Sequence, residues 1–99
     1  MGALLIVNYD TTDREALDKY REAALPLLVG PGLGQAVAVS STTVDLNEGT
    51  PAGKDTVVLR FSSVESAQAA FSSDEYLRVL PDRLNATIPK IAFIVEMLD

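Results

Sequence analysis

Two segments of this chain, Ala3–Tyr9 (ALLIVNY) and Lys90–Leu98 (KIAFIVEML), carry apolar side chains at both parities. Successive side chains of a strand point to opposite faces. Leu5 and Val7 of the first segment thus share one face, and Leu4 and Ile6 share the other. A strand covered on one side alternates apolar and polar residues, so these two require cover on both sides. The chain has only 99 residues, which is one domain over 1–99, and few elements remain to provide that cover.

Between those strands the punctuation is regular. Thr12 and Glu15 have the spacing of a capping box and open a helix. Ala16, Leu17, Tyr20, Ala23, Ala24, Leu27 and Leu28 continue it as one apolar stripe, with Glu15 and Lys19 as an i,i+4 pair. Pro26 is expected to kink or loosen the last turn. Gly30, Gly32 and Gly34 then follow the helix and precede a strand at Gln35–Val44. A phosphate loop has the reverse order, because the anion must face a helix N-terminus. The glycines are therefore read as a cap and turn.

Leu46–Asp55 is a hairpin loop and Thr56–Phe61 a strand with Val57, Leu59 and Phe61 on one face. Ser62 with Glu65, and Ser72 with Glu75, repeat the capping spacing, so the second helix is predicted to break near Ser72–Ser73 and restart. Pro81 marks a further kink or first turn. The order strand, helix, strand, strand, helix, strand is α+β and ferredoxin-like, βαββαβ. It predicts a four-stranded antiparallel sheet with helices on one face. The uncovered face predicts a homodimer formed through it.

Composition narrows the partners. Eight basic residues against fourteen acidic ones give a net charge of −6, which argues against nucleic acid and against an anionic membrane surface. No cysteine and no histidine are present. Thiolate nucleophiles, a Ser-His-Asp triad, zinc fingers and a histidine-held haem are thereby excluded, and no metal or cofactor is expected. No segment has the length of a membrane span or a signal core, so a soluble, cytoplasmic protein is expected.

Several markers fall in the order of a known family. They are Tyr20 with Pro26, Glu48–Gly49, and RFSSVESAQAAFSSDEYLRVLPDR from Arg60 to Arg83. Within the last stretch, Phe61 before the serine cap, Ala67, and Ser73–Tyr76 followed by Arg83 are the nearest matches. On these residues the chain resembles the domain of unknown function 1330 family of the dimeric α/β-barrel superfamily. It departs from the family at GPGLGQ (Gly30–Gln35), where an aromatic residue and a glycine pair are usual. It departs again at Ala70–Phe71, where Trp-Tyr is common. The resemblance implies a homodimer with two sheets face to face, and no established activity. Relatives elsewhere in the superfamily include cofactor-free monooxygenases, muconolactone isomerases and haem enzymes.

Five residues are candidates for a site. Arg60 points to the open face by strand parity; its guanidinium suits a carboxylate or enolate, or an acidic residue of a partner chain. Tyr76 and Arg83 lie two helical turns apart on one face, as a hydrogen-bond donor and a cation, or as a packed ring and a helix cap. Tyr76 is expected to stand beside Arg60. Asn8 shares parity with Leu4 and Ile6, at a pocket mouth or in a turn. Glu48 is a general base if its loop folds over the sheet, and otherwise a solvated carboxylate. Two functions stay open. One is binding or transforming a small organic acid or carbonyl compound without a cofactor, in a pocket between the sheet and the second helix. The other is a non-catalytic dimeric interaction or structural module.

Overall fold

In a computed structural model describing residues 1–99, seven elements follow one another. They are β1 (Ala3–Thr11), α1 (Arg14–Leu28), β2 (Gln35–Ser40), β3 (Asp55–Phe61), α2 (Val64–Phe71), α3 (Asp74–Asn85) and β4 (Thr87–Glu96). The strands form one antiparallel sheet in the order β2-β3-β1-β4. This is the ferredoxin-like arrangement, with its second helix divided into α2 and α3.

β1, apolar at both parities, occupies an inner position. Its register sets Leu5 beside Leu59 and Ile94, and Val7 beside Val57 and Ala92, on the face the helices cover. Leu5, Val7, Tyr9, Leu59 and Phe61 are buried there with Leu17, Tyr20, Ala24 and Leu28 of α1. On the other face Ile6 lies beside Val58 and Phe93, and Leu4 beside Arg60 and Val95. No helix covers that side, and Ile88, Ile91, Phe93 and Val95 of β4 remain 40–51% exposed.

All three helices begin one residue later than the capping-box spacing predicts. Asp13, not Thr12, caps α1 by accepting from the Ala16 N–H at 3.0 Å. Ser63 caps α2 through the Ser66 N–H, and Ser73 caps α3 through the Tyr76 N–H. For α1 the cause is tertiary: the N–H groups of Thr12 and Asp13 both donate to the Ala86 carbonyl, which holds the chain extended past Thr12. Glu15, Glu65 and Glu75 then sit in the first turns, where the helix dipole favours a negative charge. The interruption between α2 and α3 falls at Ser72–Ser73, as the sequence predicts.

β2 stops at Ser40, short of Val44, because the Thr42 N–H turns back to the Ser40 hydroxyl at 3.1 Å. Such local bonds draw Ser and Thr backbone out of a ladder. β4 begins at Thr87 rather than Lys90 and includes Pro89, which an edge strand tolerates. α1 runs through Pro26 to Leu28. The glycine stretch is a turn: Gly30 (φ 145°) and Gly32 (φ 77°) adopt backbone that side chains disfavour, and the Gly34 N–H returns to the Leu28 carbonyl at 2.8 Å.

Candidate functional site

α1 packs chiefly against α3, while α2 and α3 sit over β1 and β4. Between α1 and the β2-β3-β1 side of the sheet a cavity of about 360 Å³ remains. Leu5, Val7, Val57 and Leu59 form its floor; Ala24, Leu25 and Leu28 of α1 form its roof. Ala36 and Val39 of β2 border the outer side. Fourteen of the eighteen lining residues are hydrophobic, so the few polar groups decide what the cavity can hold.

All three tyrosines of the chain reach this cavity. The hydroxyls of Tyr20 and Tyr76 share a hydrogen bond of 2.8 Å, and their rings meet edge to face. Two hydroxyls carry two protons and the bond between them uses one, which leaves one O–H to donate elsewhere. Phe71 packs on Tyr76 with ring centroids 4.5 Å apart. Burial pushes the Tyr20 hydroxyl far above the usual phenol range, the Tyr76 hydroxyl pushes it further, and the Arg83 guanidinium offsets this only in part. Tyr20 is therefore a neutral donor at any working pH.

Arg83 stands in the last turn of α3. Its carbonyl accepts from the Ala86 N–H and the Thr87 hydroxyl, which ends the helix. Its side chain turns inward and is 5% exposed, with the guanidinium carbon 5.9 Å from the ring centroids of both Tyr9 and Phe71. The four ion pairs of the protein do not include it, and its Nε–H has no acceptor. Buried polar groups almost always find partners, and an uncompensated buried charge lowers stability. At the rim Arg21 donates to the Tyr9 hydroxyl at 3.0 Å, with Asp18 and Glu22 alongside on α1.

Asp55, at the start of β3, is as deeply buried as Arg83 and fully partnered. It accepts from the Thr11 hydroxyl at 2.5 Å and from Arg14 at 3.2 Å. Burial raises its carboxyl, but the bonds from Thr11, Ser41 and Arg14 outweigh that and hold it below the ordinary carboxylate value.

The structure brings Tyr76 and Arg83 together and separates Arg60 from both. Arg60 projects from the open face, where it pairs with Asp99 at 2.8 Å, both side chains about half exposed. Tyr76 is fully buried on the helix side. The expected grouping of Arg60 with Tyr76 is thus corrected, because the sheet itself lies between them. Asn8 is also on the open side. Its amide donates to the Gly53 carbonyl and the Thr56 hydroxyl and accepts from the Gly53 N–H. A side chain at Gly53 would run into the Tyr9 backbone. Asn8 therefore fastens the β2–β3 loop and has no amide hydrogen to spare. Glu48 lies exposed in that loop and does not line the cavity.

Tyr9, Tyr20 and Phe71 are not among the five candidate site residues that the sequence offers. The signal for Tyr9 was its parity with Leu5 and Val7, and for Tyr20 its hydroxyl on an otherwise aliphatic stripe. No three carboxylates gather anywhere as a metal site would require. No helix is long and apolar enough to cross a membrane.

Comparison with known proteins adds a family and a fold. The model of the family described as "Domain of unknown function (DUF1330)" matches residues 2–97, and the chain belongs to that family. No curated protein matches it. Among solved structures it is similar to a protein of unknown function from Rhodopseudomonas palustris, a structural genomics target. That similarity has a TM-score of 0.74 at 13% identity and covers 99% of this chain and 83% of the other. At that identity the likeness is one of fold alone.

Proposed function

We propose that this member of the domain of unknown function 1330 family binds a small organic acid or carbonyl compound in the helix-side cavity, without a cofactor. The observation that carries the reading is Arg83, a buried cation with no counter-ion, facing an apolar cavity beside a phenol with a proton to give. A carboxylate or enolate oxygen placed there meets a guanidinium and a neutral O–H, the kind of donor set that stabilises negative charge. The only carboxylates bordering the cavity, Asp18 and Glu22, are exposed at its rim. The interior offers donors and no base, which favours binding over proton abstraction.

The same reading includes a homodimer joined through the open sheet face. Its support is the apolar surface of Ile88, Ile91, Phe93 and Val95 on one side of β4, continuous with Leu4, Ile6 and Val58. Arg60 and Asp99 then border that interface.

Two measurements test the two parts. Hexanoate added in a thermal-shift assay is expected to raise the Tm of the wild type and to leave Arg83→Met unmoved. An equal shift in both proteins would refute the site. Light scattering is expected to give twice the chain mass for the wild type and a lower mass for Phe93→Asp. A monomeric wild type would refute the dimer.

A further inference from the structure

We propose that the ligand is a monocarboxylic acid with an unbranched apolar body, bound head first: its carboxylate lies at Arg83 and its tail points to the rim. This rests on the preceding reading of the cavity and adds the class and direction of the ligand.

The polarity of the cavity runs opposite to that of an ordinary cleft. Its charge is deep, since Arg83 is 5% and Tyr76 0% exposed. Its apolar side chains reach the surface, since Leu25 is 58% and Val39 59% exposed. A ligand complementary to that gradient is ionic at its inner end and hydrocarbon at its outer end. Every polar group of the interior is a donor: the Arg83 Nε–H has no acceptor, and the tyrosine pair has one proton beyond its own bond. An acceptor at the inner end of the ligand, such as a carboxylate, satisfies both of these donors.

The rim sets the number of charges. Arg21 is the single cation there and is bonded to the Tyr9 hydroxyl, while Asp18 and Glu22 stand beside it. A second carboxylate at the far end of the ligand would lie near two like charges or among Leu25, Leu28 and Val39. Both placements are unfavourable. The site thus selects against dicarboxylates by repulsion and desolvation as well as by fit.

Isothermal titration of the intact protein separates the cases, with butyrate, hexanoate and octanoate against succinate, hexanedioate and octanedioate at neutral pH. Kd is expected to fall about fourfold for each added methylene of the monoacids. Each diacid is expected to bind at least about tenfold more weakly than the monoacid of equal length, the size of a 1.4 kcal/mol difference. Leu25→Asp, at an exposed position, is expected to weaken octanoate far more than butyrate. Diacids that bind as tightly as monoacids, or a Kd independent of chain length, would overturn this inference while leaving the acid-binding site intact. Failure of all six acids to bind the wild type would overturn the site as well. Octanoate binding equally to the wild type and to Arg83→Met, with circular dichroism showing the variant folded, would overturn the inward head.

Discussion

Arg60 and Arg83 stand on opposite sides of the sheet. Arg60 rises from the open face, half in water, and pairs with Asp99. Arg83 lies beneath the helices, almost out of contact with water, with no carboxylate near enough to pair. An exposed ion pair contributes about 0–1 kcal/mol, and its members remain solvated when it breaks. A buried cation has no such recourse; within the protein the Tyr20 hydroxyl and the faces of Tyr9 and Phe71 compensate it only in part. The fold handles the other deeply buried charge differently, since Asp55 receives a hydroxyl and a guanidinium. A charge that serves the fold is given its partners. Arg83, left without them, is the residue on which the proposed acid site rests.

Substitutions at four positions probe this contrast, in descending order of expected effect. Leu17→Ala removes a fully buried side chain that packs the helices onto the sheet. Urea denaturation should show a loss of about 2–5 kcal/mol; a loss under half a kcal/mol would mean that the helix side is not the core. Asp55→Ala should cost about 1–3 kcal/mol, because Thr11 and Arg14 lose their shared acceptor.

Asp55 also fixes a pH dependence. Its folded carboxyl lies below the ordinary value of 3.8, so the folded state binds its proton less readily than the unfolded chain. The stabilisation is complete above that value and is lost as the pH falls through the lower, folded one. Denaturation midpoints measured from pH 6 down to pH 2 should therefore fall more steeply for the wild type than for Asp55→Asn. Parallel profiles would assign the acid loss to other carboxylates.

Arg83→Met replaces a buried unpaired charge by an apolar side chain. The unliganded protein should gain about 1 kcal/mol, as is common when a functional group is removed at a cost to function. A large loss in chemical denaturation would show instead that the ring contacts of Arg83 hold the fold together. Arg60→Met should change stability by less than about 0.5 kcal/mol, as expected for an exposed pair. A larger change, growing with protein concentration, would place Arg60 inside a subunit interface.

The elements were legible because each carries a local signature. Apolar residues at both parities marked β1 and β4, a helical stripe marked α1, and three glycines marked the turn before β2. Serines marked the break between α2 and α3. The α1 cap is displaced by one residue because the Ala86 carbonyl, some seventy positions away in the chain, decides how far the backbone stays extended at Thr12. Pro89 looks like a strand breaker, and only the edge position of β4 makes it acceptable.

The placement of Arg60 on the open face was likewise legible, since a strand of period two fixes the side of the sheet for each residue. The same parity separates Arg60 from Tyr76 once the helices lie on the face of Leu59. The sequence places a pocket between the sheet and the second helix, with Tyr76 and Arg83 as candidates, whereas the cavity lies chiefly under α1. Its polar groups come from Tyr9 on β1, Tyr20 on α1 and Tyr76 with Arg83 on α3, and Phe71 closes it from α2. The sequence by itself determined which faces are apolar and in what order the elements come, because periodicity and turn chemistry act over a few residues. Only the tertiary structure decided which side chains share one low-dielectric space. That depends on how far α1 stands from β2 and β3, and so on packing between residues distant in the chain.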